Sequence, residues 1–234
     1  MPSGAGTNPA AIAVFAKLPI PGQVKTRLQE RLGIEGCLRL HEALLLDSVD
    51  RIATMGMSTY LYLSSPGSDQ LHKFCQGANL PEGIQPRIQR GRNLGERMLA
   101  AFQQLLPTYR CALVVGADSP SVPLEYLEAG IDSLRHIPVA VGPASDGGYY
   151  AIGLNRPRES LFQGIDWGGD DVFRQTMARL RPDEVAVLPE WYDIDRIDDV
   201  RRLSSELRDL PSDQLRRLRA VLGDLEHLLP AEQL

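Results

Sequence analysis

The segment that most constrains the fold is residues 111–120, CALVVGADSP, an apolar run that ends at a glycine, a single carboxylate and a proline. Such an uninterrupted run is typical of a strand buried on both faces, as in a parallel sheet covered by helices on each side. Ligands of open α/β sheets bind beyond the carboxyl ends of the strands. Asp118 lies there, where a carboxylate is costly to bury unless it pairs with a cation or ligand. The segment therefore predicts a ligand-binding edge at Asp118, with capping of the next helix as the alternative.

Short apolar runs alternate with helical patterns along the rest of the chain. Further strands are predicted at residues 11–16, 59–63, 84–89, 138–142, 149–154 and 184–188. Helices are predicted at residues 23–33, 34–55, 69–76, 123–135, 159–164 and 169–180, with another that opens in the 90–97 loop and runs to residue 106. In that last helix, Leu94, Met98, Ala101 and Leu105 are expected to face inward. Strands that alternate with helices throughout indicate a three-layer α/β fold.

The chain has 234 residues, enough for one large domain with a sizeable core. We interpret residues 1–10 as a disordered tail and residues 11–234 as a single domain, in which residues 198–234 form C-terminal helices. The formal charge of −5 does not suggest a nucleic-acid partner. No apolar run is long enough for a membrane span. The three cysteines have no disulfide or zinc spacing, which indicates a reducing compartment, so we expect a cytoplasmic protein.

The C-terminal helices carry leucines at helical spacing. These are Leu203, Leu207, Leu210, Leu215, Leu218, Leu222, Leu225 and Leu229. The stripe could form a homodimer interface, but packing against the sheet is the favoured interpretation.

A basic loop follows the first predicted strand. Lys17, Lys25 and Arg27 surround two prolines and Gly22 just before a helix, whose N-terminus favours anions. The glycine permits close approach of the backbone to a ligand. The spacing is neither that of a Walker A loop nor that of a dinucleotide-binding fingerprint. The loop predicts phosphate binding, and a solvated basic loop is the alternative.

Carboxylates occur at or near several strand ends: Asp118, Asp146, and the pair Asp193 and Asp195. A parallel sheet could bring them to one edge, although Asp146 also belongs to an Asp-Gly-Gly sequence that could be only a hairpin turn. Carboxylates beside phosphate-binding cations suggest a divalent ion that bridges carboxylate and diphosphate. Oxygen ligands favour Mg²⁺ or Mn²⁺ over zinc.

Several of these segments together resemble a known family. The segments are residues 15–28 (FAKLPIPGQVKTRL), 93–98 (NLGERM), 116–120 (GADSP), 142–150 (GPASDGGYY), 164–167 (GIDW) and 193–195 (DID). They resemble an uncharacterised bacterial family of GT-A-type glycosyltransferase-like proteins, some described as arsenosugar-biosynthesis glycosyltransferases. The resemblance covers about residues 11–205 and implies a Rossmann-like nucleotide-diphospho-sugar transferase fold with a mostly parallel sheet, which binds a nucleotide and a divalent ion. The chain departs from the family pattern at residues 119, 168–169 and 196–197.

The resemblance also implies roles for individual residues. The nucleotide-binding set is Lys17, Gly22, Lys25, Arg27, Asn93, Gly95 and Arg97. The set that faces the sugar or acceptor is Asp146, Gly147, Gly148, Tyr149 and Trp167. The implied metal ligands are Asp118 and Asp195. Lys25 and Arg27 would stabilise the charge of the leaving group, and Asp146 would position the acceptor or accept its proton.

The leading interpretation is a metal-dependent transferase that moves a sugar from a nucleotide-activated donor to a small-molecule acceptor. The alternative is a nucleotidyltransferase that couples a nucleoside triphosphate to a sugar phosphate or similar acid and releases pyrophosphate. The first loop of those enzymes usually has two glycines before an arginine, whereas this loop has only Gly22, which favours glycosyl transfer. A non-catalytic nucleotide-binding module is the third interpretation, because a fold alone does not establish activity.

Overall fold

The computed structural model of the protein describes residues 10–64 and 67–228. The predicted tail is one residue too long, because Ala10 is buried and begins the first strand. The rest of that tail, and Leu229 of the leucine stripe, lie outside the described residues.

Seven strands form one sheet in the described part of the chain. They are β1 (Ala10–Lys17), β2 (Ser58–Ser64), β3 (Gln85–Ile88), β4 (Cys111–Gly116), β5 (Val139–Pro143), β6 (Tyr149–Leu154) and β7 (Val185–Val187). Their order is β3-β2-β1-β4-β6-β5-β7. Strand β6 runs antiparallel to β4 and β5, and the other pairings are parallel. The predicted mostly parallel sheet is therefore confirmed.

Helices cover both faces of this sheet. They are α1 (Gln29–Ala53), α2 (Ser68–Gly77), α3 (Leu94–Leu105), α4 (Leu124–Ser133), α5 (Val172–Met177), α6 (Ile197–Asp209) and α7 (Arg216–Leu225). The segment predicted as a helix at residues 159–164 has only a short 3₁₀ turn, Glu159–Leu161. Within the described ranges, no helix has the length and apolar content that crossing a lipid bilayer requires.

The first helix begins later than the predicted residue 23. Residues 20–23 form a type II turn, in which Gly22 has a positive φ of 77° and the N–H of Gln23 donates to Ile20 O at 3.0 Å. Lys25 is also left-handed, at φ 47°, so regular structure starts only with a 3₁₀ turn at Thr26–Leu28. The predicted break at Gly33 is present as a kink inside α1, where φ is 68°.

Alternate residues of the strands pack on opposite faces of the sheet. In β1, Ile12 and Val14 face one side, which α1, α2 and α4 cover. Ala13 and Phe15 face the other side, which α3 covers. Leu94 was predicted to face inward, and this prediction is wrong. The residue lies on the first turn of α3 and is 41% exposed. The three-layer α/β architecture follows from this alternation.

The C-terminal leucine stripe packs on α1 rather than on the sheet. Leu203, Leu207, Leu218 and Leu222 join the outer face of α1 in a third apolar cluster. The opposite face of α1 already covers the sheet, so the C-terminal helices form an additional layer outside it.

Candidate functional site

A cavity of about 400 Å³ opens at the sheet edge where β1 and β4 end. Strand β6 begins at the same edge because it runs antiparallel to β4, with Ala151 paired to Val115. The hairpin loop between β5 and β6 therefore reaches the rim beside the residues that follow β4. This is the edge at which open α/β sheets bind ligands.

The structure brings half of the predicted site residues to the cavity. Lining it are Lys17, Arg97, Asp118, Asp146, Gly148, Tyr149 and Trp167. The predicted residues outside the lining are Gly22, Lys25, Arg27, Asn93, Gly95, Gly147 and Asp195. Asp193 also lines the cavity, although the resemblance named only its neighbour Asp195. The sequence singled out Asp193 together with Asp195 as carboxylates near a strand end, but the resemblance gave a role only to Asp195.

Lys25 occupies a buried position between two predicted metal ligands. Its Nζ donates to Ile194 O at 2.6 Å and to Asp195 Oδ1 at 3.2 Å, and it forms an ion pair with Asp118 Oδ1 at 2.6 Å. A lysine ammonium has three N–H donors, so these oxygens match its capacity. Burial by itself lowers the pKa of Lys25, but the charges of Asp118 and Asp195 outweigh it and raise the pKa above its ordinary value. The side chain is therefore a charged ammonium tied to both carboxylates.

Asp118 faces both the protein interior and the cavity. Its Oδ1 is buried against Lys25, whereas the side chain as a whole is 44% exposed and lines the cavity. Burial raises the pKa of Asp118, but the positive charge of Lys25 outweighs burial, and the net pKa lies below the ordinary value. The group is thus an ionised carboxylate with one side open to a ligand.

Asp195 is held in place from two sides. Its Oδ1 accepts from Lys25, and its Oδ2 accepts from Arg27 Nη1 at 3.2 Å. The backbone N–H groups of Asp195 and Arg196 both donate to Asp199 Oδ2, so Asp199 caps the start of α6. The segment that carries Asp195 is also bonded to the residues that follow β4, because Ile194 N donates to Asp118 O at 2.9 Å.

Asp193 is a partly buried carboxyl group of the cavity. Burial, together with the negative charges of Asp146 and Asp195, raises the pKa of Asp193 to about 6. Three carboxylates, those of Asp118, Asp146 and Asp193, thus line one cavity with two cations, Lys17 and Arg97. Such an arrangement suits a ligand that carries phosphate together with a bound cation.

His41 is a buried residue of α1. Its Nε2 donates to Lys17 O at 2.9 Å, and its Nδ1 lies 4.0 Å from Asp118 Oδ1. Burial lowers the pKa of His41. A neutral imidazole that donates from Nε2 leaves Nδ1 unprotonated. His41 therefore fixes the end of β1 from behind the cavity.

The glycines and Asn93 of the predicted site shape its walls. An ideal Cβ on Gly95 would lie 2.3 Å from Cζ2 of Trp167, so the indole packs directly on the α3 backbone. Gly147 has a φ of 90°, and a Cβ there would lie 1.7 Å from Asp170 O. Asn93 caps α3 by accepting from Glu96 N at 2.9 Å. These residues hold the cavity wall in place.

Asp146 lies on the rim with one oxygen engaged. Its Oδ1 accepts from Gly148 N at 2.8 Å, which fixes the hairpin loop as an Asx-type turn. Its side chain nevertheless lines the cavity. The loop is therefore both the predicted hairpin turn and part of the candidate site.

The two implied metal ligands, Asp118 and Asp195, lie on either side of one buried ammonium, that of Lys25. The described residues contain no group of three or more His, Cys, Asp or Glu side chains placed to hold a metal. Mg²⁺ is commonly bound through one or two carboxylates plus the phosphates of a substrate. Asp118 and Asp195 already share the Lys25 ammonium, so they are close enough to share a cation.

Part of the sequence matches a protein family. Residues 48–169 match the family described as "Uncharacterized protein conserved in bacteria (DUF2064)". None of the curated proteins matches the chain.

Solved structures share the fold. A candidate nucleotide-diphospho-sugar transferase from Desulfovibrio desulfuricans G20 is 30% identical over 95% of this chain and 97% of that chain, with a TM-score of 0.86. A 4-diphosphocytidyl-2C-methyl-D-erythritol synthase from Anaerococcus prevotii DSM 20548 is 12% identical over 86% and 98% of the two chains, with a TM-score of 0.55. Rv0371C from Mycobacterium tuberculosis H37Rv, in complex with manganese, is 19% identical over 84% and 98%, with a TM-score of 0.55. These likenesses confirm the predicted Rossmann-like nucleotide-diphospho-sugar transferase fold.

Proposed function

The chain belongs to the bacterial family DUF2064, and we propose that it is a metal-dependent transferase that acts on a nucleotide-activated sugar. The reaction is transfer of the sugar to a small-molecule acceptor. The observation that carries the proposal is Asp118, an ionised carboxylate open to a cavity that also holds Lys17 and Arg97.

The charges of the cavity support binding of a nucleoside diphosphate. Lys17 ends β1 and Arg97 lies on the first turn of α3, so two cations from different elements line the same space. Arg27, on the same basic loop as Lys17, lies outside the cavity lining, is 65% exposed and pairs with Asp195. In this proposal these cations bind the diphosphate, and they stabilise the negative charge that develops on it as the sugar leaves.

Asp118 and Asp195 are the proposed ligands of the divalent ion. The ion, when bound, supplies positive charge that stabilises the diphosphate leaving group. Asp195 is positioned for this by Arg27 and Lys25, and Asp118 by its ion pair with Lys25. Asp146 and Asp193 add negative charge at this end of the cavity, which a divalent ion would offset.

The opposite rim is proposed to hold the sugar and the acceptor. Trp167 and Tyr149 contact each other edge-to-face at 6.5 Å and give this rim an aromatic wall. Asp146 keeps an oxygen beyond the one that Gly148 N engages, so it can accept a hydrogen bond from an acceptor hydroxyl. Its role is to position the acceptor or to take its proton.

Binding of candidate substrates tests this proposal directly. The midpoint of thermal unfolding is measured with nucleoside diphosphates, triphosphates and sugar nucleotides, each with and without Mn²⁺. A ligand at 100 times its dissociation constant adds about 2.7 kcal/mol to the free energy of unfolding. Stabilisation by one diphosphate and its sugar conjugate, only with Mn²⁺, is the expected result, together with consumption of that donor when an acceptor is found.

Asp118→Asn is the matched variant for this measurement. It is expected to remove the Mn²⁺-dependent stabilisation, whereas Asp132→Asn on the exposed surface of α4 is expected to retain it. A response that survives in a folded Asp118→Asn protein would refute the metal assignment. Preference for a triphosphate would instead favour nucleotidyl transfer, and binding without metal or turnover would favour a non-catalytic module.

A further inference from the structure

We propose that Lys25 is a built-in cation that competes with the divalent ion for Asp118 and Asp195, so that metal binding and release of Lys25 are one coupled step. This inference rests on the proposed function, because it assumes that these two carboxylates hold the ion. It assigns Lys25 the role of a competing cation, which the basic loop alone does not suggest.

The first argument is that the ammonium and the ion need the same oxygens. Lys25 Nζ lies 2.6 Å from Asp118 Oδ1 and 3.2 Å from Asp195 Oδ1. The other oxygen of Asp195 is taken by Arg27. An ion that binds Asp195 therefore approaches an oxygen that already contacts a cation. Two cations on one carboxylate edge repel each other strongly away from bulk water, and this repulsion favours displacement of one of them by the ion.

The second argument identifies Lys25 as the cation that is displaced. Arg27 contacts Asp195 alone, whereas Lys25 bridges Asp195 and Asp118, which is the position of an ion held by both. Lys25 is also a non-glycine residue in the left-handed region, at φ 47°. Such a conformation persists only while surrounding contacts maintain it. Release of Nζ from Asp118, Asp195 and Ile194 O removes the side-chain contacts that help to hold it there.

The third argument concerns where the released ammonium goes. Lys25 belongs to the loop that also carries Lys17 and Arg27, next to the cavity that holds Asp118. A freed ammonium needs new acceptors, and a diphosphate in the cavity supplies them. When the metal binds alone, the displaced ammonium of Lys25 finds no new acceptor. When the metal binds together with a diphosphate, phosphate oxygens accept hydrogen bonds from that ammonium. Each ligand therefore strengthens binding of the other, and this coupling is reciprocal.

Lys25→Met tests the competition by removing the charge at similar length. Mn²⁺ affinity in the absence of nucleotide is measured by the electron paramagnetic resonance signal of the free ion. The expected result is an affinity at least tenfold higher than in the unsubstituted protein. Lys17→Met is the charge-matched control, because Lys17 lines the cavity but forms no ion pair with either carboxylate among the described residues. An unchanged or weaker affinity in Lys25→Met, or an equal gain in Lys17→Met, would overturn the proposal.

A second measurement needs no substitution at Lys25. The side chain is only 3% exposed in its ion pairs, so acetylation of its amine by a soluble reagent is expected to be slow. Peptide mass spectrometry follows this modification with and without Mn²⁺. Faster modification of Lys25 with Mn²⁺ is expected, whereas the same slow rate under saturating metal contradicts its release.

The two proposals fail separately. If no nucleotide shows Mn²⁺-dependent binding and Asp118→Asn changes nothing, the proposed function fails. If metal-dependent binding requires Asp118 but removal of Lys25 does not tighten Mn²⁺ binding, only the competition is wrong.

Discussion

At the scale of single residues, the cavity wall depends on the absence of a side chain at Gly95. Gly95 lies on the first turn of α3, and Trp167 fills the space that a Cβ would occupy there. Trp167 in turn stacks on Phe162, with ring centroids 6.3 Å apart, and contacts Tyr149. The aromatic rim is therefore held against α3 by direct contact between an indole ring and the backbone.

Gly95→Ala is expected to displace Trp167 from this wall. The added Cβ would lie 2.3 Å from the indole, and overpacking of this kind costs about 1–3 kcal/mol of unfolding free energy. A red-shifted Trp167 emission, measured in a Trp191→Phe background, would report the displacement. Gly223→Ala on α7 is the matched control: the site has open space, so better helix propensity is expected to raise stability. Unchanged emission in Gly95→Ala would contradict this contact.

The sequence pointed to the site at this scale but not to its internal contacts. Lys17 was predicted from the basic loop, and Asp118 and Asp146 were predicted from carboxylates at or near strand ends. All three line the cavity. The pairing of Lys25 with Asp195 was not predictable, because it joins residues 170 positions apart through the fold. A local pattern shows that a cation is present, and only the tertiary structure shows which oxygens surround it.

At the scale of elements, α7 begins on a carboxylate supplied by α1. Asp47 is 2% exposed, and its Oδ2 accepts from Leu218 N at 2.9 Å. Its Oδ1 accepts from Arg217 Nη1 at 3.0 Å. The N-cap residue of α7, Leu215, forms no side-chain cap of its own. Asp47 therefore acts as a cap from a distant helix and fixes α7 against α1.

Asp47→Ala is expected to lower the free energy of unfolding by about 2 kcal/mol, the upper value for loss of a helix cap. Chemical denaturation measures the loss, and faster amide exchange in α7 locates it. Asp50→Ala is the control, because its 43% exposed carboxylate pairs with the same arginine but caps no backbone N–H among its recorded contacts. Its expected cost is below about 1 kcal/mol. Equal losses in the two variants would contradict the capping role.

The strands were easier to predict than their arrangement. Apolar runs bounded by glycine, proline or charge marked β1, β2, β4, β5 and β6, because burial on both faces demands such runs. The edge strands β3 and β7 are partly exposed and lack this signal. The antiparallel direction of β6 leaves no mark within the strand itself, since β6 is buried on both faces just as β4 and β5 are. The late start of α1 arises from the turn at residues 20–23, where Pro21 and Gly22 outweigh the helical pattern that follows.

At the scale of the whole molecule, α1 connects the sheet to the C-terminal helices. Leu45, Val49 and Ile52 on one face pack against the sheet, whereas Leu40 and Leu44 on the other join α6 and α7. Loss of either contact would expose an apolar face of the same helix. The three apolar clusters are therefore expected to depend on one another for stability.

A single cooperative unfolding transition follows from this arrangement. The ratio of van't Hoff to calorimetric enthalpy is expected to be about 1, with coincident transitions by circular dichroism and tryptophan emission. Such a result would support the prediction that residues 11–234 form one domain. A separate early transition confined to α6 and α7 would show instead that the C-terminal helices are an independent unit.

The distance in sequence between Lys25 and Asp195 also bears on how the protein is made. At about 5–20 residues per second, a ribosome needs roughly 10–30 s to add the 170 residues between them. A nascent chain that ends before residue 193 already carries the basic loop and Asp118, but it lacks the second carboxylate for Lys25. The corner of the cavity proposed to bind the divalent ion is therefore completed late in synthesis, after every strand of the sheet has been made.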